Sequence, residues 1–276
     1  MLPIDPTQPL TVSFLGTGTS TGVPMIGCPC TVCTSSDPHN KRMRVSIVVS
    51  TAGEAGGRPQ NILVDTTPEM RIQLLREGLD RVEAILMTHS HADHIFGLDD
   101  VRQINFRHNM VMPIYGSPAT LDHLRHIFDY VFKETQAGGG KPQLDLKPLP
   151  PLQSASMPSG IEIMPLPVFH GRMPIYGYKF GSGLAYLTDV SEIPDETLPH
   201  LFGLDTLILG AVRYDPHPTH FNLGQAVEVI NALKPKRAFL THLSHHFDHE
   251  TVNRELPPHI RLAYDGLKFT VPGITD

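Results

Sequence analysis

Short apolar runs rich in β-branched residues recur along the chain, at Leu10–Leu15, Val45–Ser50, Ile62–Val64, Ala84–Met87, Ile161–Val168, Leu184–Leu187, Thr206–Leu209 and Ala238–Leu240. Runs of this length and composition predict strands. Between them, Pro68–Leu79, Pro118–Phe132 and Leu223–Leu233 space their apolar residues near the helical period and predict helices. Thr67 reads as an N-cap with Pro68 at the first helical position, and Asn222 as the N-cap of the helix at Leu223. Helices are interspersed among strands without strict βα alternation, which predicts two sheets sandwiched by helices rather than one doubly wound sheet. Gly53–Pro59 and Glu134–Pro142 read as mobile loops, neither of them a domain linker, and no internal repeat is visible. A single domain over 1–276 is expected.

With 276 residues, 40% of them hydrophobic, the chain can bury a sizeable core. A net charge of -6 argues against nucleic acid or an anionic membrane as a whole-surface partner. The first ten residues lack a basic n-region and an apolar h-region, so no secretory signal is expected. No apolar run is long enough to span a membrane, and the expected location is cytoplasmic. A homodimer is compatible with the sequence and not indicated by it.

The chemistry concentrates after the fourth of these strands, in Thr88-His89-Ser90-His91-Ala92-Asp93-His94. Side chains two apart in extended chain point the same way, so His89 and His91 can converge on one cation. Asp93 and His94 then fall where the chain turns into a helix beginning near Ala92. Further ligand types stand just past apolar strands: His170, Asp189 and His242. Strand ends are where an α/β sheet presents its active-site edge. Imidazole suits Zn, Fe, Ni and Cu, and a mixed His/carboxylate set also admits Mn. The three cysteines, Cys28, Cys30 and Cys33, form a Cys-x-Cys-x-x-Cys array. That spacing favours a metal over a disulfide. Three thiolates need a fourth partner to close a tetrahedral zinc site, and His245 is the best candidate. Gly16, Gly18 and Gly22 miss the dinucleotide spacing by one position.

His89-x-His91-x-Asp93-His94, followed by His170, Asp189 and His242, resembles the metallo-β-lactamase-fold hydrolases over essentially the whole chain. The resemblance implies an α/β (α+β) four-layer αββα sandwich. It implies one metal on His89, His91 and His170, a second on Asp93, His94 and His242, and Asp189 between them. The opening Leu15-Gly16-Thr17-Gly18-Thr19-Ser20-Thr21-Gly22-Val23-Pro24 with its cysteine array, and the late Thr241-His242-Leu243-Ser244-His245-His246-Phe247-Asp248, look like the phosphoribosyl cyclic phosphodiesterases of the carbon–phosphorus lyase pathway. That family implies a structural zinc on Cys28, Cys30, Cys33 and His245. It also implies a small cyclic phosphodiester as substrate, and two catalytic divalent ions, Zn or Mn with Fe as a further option, sharing the hydroxide that attacks phosphorus. A histidine at the matching place is its proposed general acid, which points to His220, with His217 the neighbouring alternative; Asp93 is the second candidate catalytic residue.

Several readings stay open. Asp65 orients metal-side groups in this superfamily, or is a turn aspartate. Asp265-Gly266, between two short apolar runs, reads as a hairpin turn. Lys41, Arg42 and Arg44 read as a solvated face rather than a phosphate clamp, and Phe128, Tyr130 and Phe132 as core. Rival functions are a tRNA 3′-processing endonuclease, a pyrroloquinoline quinone biosynthesis protein, an ester, thioester or lactam hydrolase on the same metals, and a metal-binding module without turnover.

Overall fold

The structure, a computed structural model, describes residues 9–51, 58–134, 136 and 140–272. The loops at Gly53–Pro59 and Glu134–Pro142 therefore lie partly outside the described residues. The strands are β1 (Leu10–Gly16), β2 (Ser46–Thr51), β3 (Gln60–Val64), β4 (Ala84–Leu86), β5 (Met112–Gly116), β6 (Leu144–Pro148), β7 (Ala155–Ser156), β8 (Glu162–His170), β9 (Met173–Phe180), β10 (Leu184–Leu187), β11 (Thr206–Gly210), β12 (Arg237–Thr241), β13 (Ile260–Leu262) and β14 (Lys268–Val271). The α-helices are α1 (Thr31–Thr34), α2 (Met70–Arg76), α3 (Ala92–Ile95), α4 (Val101–His108), α5 (Pro118–Ile127), α6 (Asp129–Phe132), α7 (Leu223–Leu233) and α8 (His249–Glu255).

Two seven-stranded sheets result, in the orders β14-β1-β2-β3-β4-β5-β6 and β13-β12-β11-β10-β9-β8-β7. Period-two alternation decides what each face buries. In the first sheet Ile47, Val49, Ile62, Val64, Ala84 and Leu86 point into a core shared with Tyr178, Leu184, Tyr186 and Ile208 of the second. Their neighbours Val48, Leu63 and Ile85 point the other way, onto Met70, Ile95, Val101, Leu121 and Leu124 of the outer helices. In the second sheet Ala185, Leu187, Leu207 and Leu209 face Ala226, Ile230 and Val252 of α7 and α8. Both faces of both sheets are covered, which explains the unbroken apolar runs. The layers are helix, sheet, sheet, helix, as the resemblance implied.

Four local readings need correction. Thr67 does not cap the helix, which begins at Met70; its hydroxyl bonds Gln73 Oε1 at 2.9 Å instead. The stretch Pro118–Phe132 is two helices, because the backbone leaves the helical region at Phe128 (φ -104°, ψ 41°). Of the three aromatics there, Phe128 is buried while Tyr130 and Phe132 are exposed. Asp265-Gly266 is no hairpin turn: β13 belongs to the second sheet and β14 to the first, so the chain crosses between sheets there. The buried Asp265 carboxylate accepts from Thr17 Oγ1 at 2.7 Å and Met43 N at 2.8 Å across that crossing. Asn222 does cap α7, in a reciprocal box with Gln225.

Candidate dinuclear metal centre

Parallel strands release their chains at one edge. β3 and β4 run parallel, as do β10, β11, β12 and β13. β3 delivers Asp65, β4 the His89–His94 segment, β8 His170, β10 Asp189 and β12 His242. Asp65, Asp189 and His242 lie at positive φ (63°, 55° and 58°), so the chain turns sharply as soon as each strand ends. His91 is the N-cap of α3, which carries Asp93 in its first turn and His94 behind it.

The structure brings the sequence-predicted ligands together in three overlapping groups. His89, His91 and His170 offer ring nitrogens within 4.8 Å of one another; the ring nitrogens of His94 and His242 and a carboxylate oxygen of Asp93 lie equally close, as do those of His89 and His94 and an oxygen of Asp189. His94 Nε2 stands 3.3 Å from Asp189 Oδ2 and 3.4 Å from Asp93 Oδ2, and His242 Nε2 stands 3.1 Å from Asp189 Oδ1.

Hydrogen bonds behind the ring fix the tautomers. His94 Nδ1 donates to Asp65 Oδ2 at 2.7 Å. The fully buried Asp65 also accepts from Thr88 N and Thr88 Oγ1, both at 2.8 Å. Since Thr88 spends its proton on Asp65, its oxygen accepts from His89 Nδ1 at 3.0 Å. His170 Nδ1 donates to Thr219 O at 2.7 Å. Thr188 Oγ1 donates to Asp189 Oδ2 at 2.7 Å. His89, His94 and His170 thus each present an Nε2 lone pair inward. Nε2 of His89, His94 and His242 is buried without a hydrogen-bond partner. Buried unpaired polar atoms are costly. Lone pairs converging on carboxylates are what a divalent cation satisfies, so the residues fit the metals implied.

The electrostatics agree. Burial lowers the pKa of His89 and His242, keeping both imidazoles neutral and able to ligate. Burial opposes a charge on His94, but Asp189, Asp65 and Asp93 outweigh it and raise this imidazole well above its ordinary value. The field that holds a proton there is the field that favours a cation. Burial likewise opposes ionisation of Asp93, and His94 and His242 overcome it. For Asp189 the outcome is the same, with His242, His94 and His89 prevailing over burial.

His220 lies beside this centre: its ring stacks on His242 (4.8 Å, 21°), and Nδ1 is 3.7 Å from Asp189 Oδ1. Burial, then His242, pulls it down to about 3. His217 sits 4.8 Å further out, its Nδ1 engaged by Thr219. The structure also gathers the cysteine cluster: Cys28 Sγ and Cys30 Sγ lie 3.3 and 3.4 Å from His245 Nδ1, and Cys33 belongs to the same group. The Cys33 N–H, then His245, lowers the Cys30 thiol to about 6, while burial raises Cys33 to about 11.

The reading of Lys41, Arg42 and Arg44 as a solvated face is wrong for Arg42, which is 2% exposed. Thr88, Thr188 and Thr219 were missed. A signal existed for two of them: Thr88-His89 and Thr188-Asp189 repeat one pattern, a threonine between an apolar strand and a ligand. The Thr219 contact is a backbone carbonyl and leaves no mark in the sequence.

Residues 60–243 match the family described as the β-lactamase superfamily domain. An octanoyltransferase of Porphyromonas gingivalis is 41% identical over 263 residues, covering 94% of this chain; the chain spans only 51% of that relative. A solved diphosphatase of the PhnP family is 44% identical, with a TM-score of 0.86 over 96% of this chain and 98% of that one. Zinc-bound PqqB of Methylobacterium extorquens, at 18% identity, shares the fold with a TM-score of 0.72 over 94% of this chain and 99% of that one. Fold and family agree, and the chain belongs to the β-lactamase superfamily, with the metallo-β-lactamase fold.

Proposed function

We propose that this chain hydrolyses a cyclic phosphodiester of a small molecule, a phosphoribosyl cyclic phosphate or a related cyclic nucleotide, to a phosphomonoester. In this reading His89, His91 and His170 hold one divalent cation, Asp93, His94 and His242 the other, and Asp189 lies between them. The observation that carries it is the set of buried, unpartnered Nε2 atoms of His89, His94 and His242 gathered around Asp93 and Asp189. Bound cations supply a water acidified toward neutrality and neutralise charge on the phosphoryl oxygens.

The protein's own groups do the remaining work. Asp65 and Thr88 hold His94 and His89 in the ligating tautomer. Thr219 O does the same for His170. His220, stacked on His242, is placed to give a proton to the departing oxygen. Burial disfavours its charge, and a phosphate anion beside it acts in the opposite direction. The Cys28, Cys30, Cys33 and His245 group offers four donors and no open position, which suits a structural zinc.

A second reading, a diphosphate diester as substrate, is favoured by the 44% identical relative described as a diphosphatase. Acyl transfer through a cysteine is disfavoured by the site itself: all three thiols gather around His245, and none enters the His/Asp group. The test is turnover by zinc- or manganese-loaded protein of a cyclic ribose phosphate, a cyclic nucleotide, a dinucleoside diphosphate and an octanoyl thioester. Hydrolysis of the thioester with no phosphorus substrate turned over sinks the proposal; preference for the diphosphate selects the second reading. His220→Ala should cost about 10²–10⁴-fold with an alkoxide leaving group and little with p-nitrophenolate, which leaves unaided.

A further inference from the structure

β12 ends at Thr241, and the chain leaves it through His242. Three residues later stands His245, against Cys28 and Cys30. One strap, residues 242–248, therefore serves both donor clusters. Its start is tied by backbone bonds: Leu243 N donates to Thr17 O (2.8 Å), Thr19 N to Leu243 O (3.3 Å), and Ser244 N to Val212 O (3.2 Å). Two further carbonyls of the strap go to a single side chain. Arg42 donates from Nη1 to Ser244 O at 3.0 Å, and from Nη2 to Phe247 O at 2.7 Å and Asn40 Oδ1 at 3.2 Å. Asn40, fully buried, completes the clamp: Nδ2 donates to Asp248 Oδ2 at 2.8 Å and Oδ1 accepts from His249 N at 3.0 Å.

A guanidinium so deep is expensive to bury. Burial lowers it to about 10, against the nearby charges of Asp265, Asp248 and Asp37, and it stays charged at neutral pH. Among the described residues no carboxylate oxygen lies within 4 Å of it. The charge is spent on backbone carbonyls of the strap, which a rigid planar fork holds from two separate nitrogens in a fixed geometry, where an ammonium offers its donors from one nitrogen on a flexible stem. An apolar side chain would fill the same volume, so packing alone does not account for an arginine here.

We propose that Arg42 is a positioning residue for the metal centres: by holding the carbonyls of Ser244 and Phe247 it fixes the strap that presents His242 to one cluster and His245 to the other. The inference rests on the metal-binding reading of both clusters. Because one strap carries both ligands, occupancy of either cluster favours occupancy of the other, and the coupling is reciprocal. Lys41 reinforces the link from the cysteine side, its Nζ donating to Cys33 O at 3.1 Å.

The test titrates Co²⁺ into the metal-stripped full-length chain as wild type, Arg42→Met, Arg42→Lys and Asn40→Ala. Leu124→Ala, a cavity in the helix-side core of the first sheet, serves as a control of comparable melting loss. Thiolate-to-cobalt absorption reports the cysteine cluster, and the weaker visible bands report the histidine centre. Arg42→Met should weaken uptake at both by about tenfold or more. Arg42→Lys should recover part of this, and Asn40→Ala should fall between. Equal affinity in wild type and variants overturns the proposal, as does an equal loss in Leu124→Ala at matched melting temperature, which would make the effect one of stability alone. A wild type that takes up no cobalt removes the metal reading itself and the proposal with it; uptake in wild type that the variants share removes only the role of Arg42. Should Arg42→Met not fold, Arg42→Lys and Asn40→Ala decide.

Discussion

Asp65, Asp189 and His242 hold left-handed backbone conformations although none is glycine. Such positions cost about 1–3 kcal/mol each and persist where the surroundings over-determine them. Here each turn swings a side chain off a strand end into the centre. Asp65 shows what is gained, because its three hydrogen bonds orient His94 directly and His89 through Thr88. Asp65→Asn keeps the shape but cannot accept at both oxygens. Metal affinity measured by chelator competition should fall about 10–100-fold. Undiminished affinity would reduce Asp65 to the turn aspartate that the sequence alone left open.

At the scale of elements, legibility follows unbroken apolar runs. β2, β3, β4, β10, β11 and β12 are covered on both faces and announce themselves as continuous apolar runs. β5, β6, β7, β9, β13 and β14 did not; β5 is buried throughout but is broken by Pro113 and Gly116. β6 is an edge strand with Asp145, Lys147 and Pro148 outward. β9 is interrupted by Gly177, where an added Cβ would collide with Leu187 of β10. The break at Phe128 was invisible because its apolar spacing continues from α5 into α6. The ligands were legible because each follows such a run. Arg42 was not, since its charge is answered by carbonyls some 200 residues away in sequence. The loop bearing α1 has a core of only Val23, Val32 and Cys33 with a few partly buried neighbours, too little to order it alone. Cys30→Ser should therefore remove one equivalent of zinc and lower the melting temperature by several degrees, at about 2–4 °C per kcal/mol. Full zinc content with unchanged melting would refute a structural zinc there.

At the scale of the molecule, the two sheets are joined where the chain crosses from β13 to β14 past Asp265. Burial pushes that carboxyl from 3.8 to about 6, beyond what Met43 N, Thr17 and Arg76 restore. The folded protein therefore holds this proton more tightly than the unfolded chain does. Between pH 4 and 6 the unfolded state binds fewer protons at this position, so stability drains away as pH rises through that window and is flat above it. Asp265→Asn has no such titration. The difference in unfolding free energy, wild type minus variant, should drop by on the order of 3 kcal/mol from pH 4 to pH 6.5. Urea melts at a few pH values read it directly, and a constant difference would show Asp265 to be ordinary.

The same crossing returns the chain to where it started. β14 lies beside β1, with Leu10 opposite Val271. A second domain joined at either extremity would thus emerge from the same margin of the first sheet, with no thread drawn across the helices. Such a unit could be carried at either end of this fold alike.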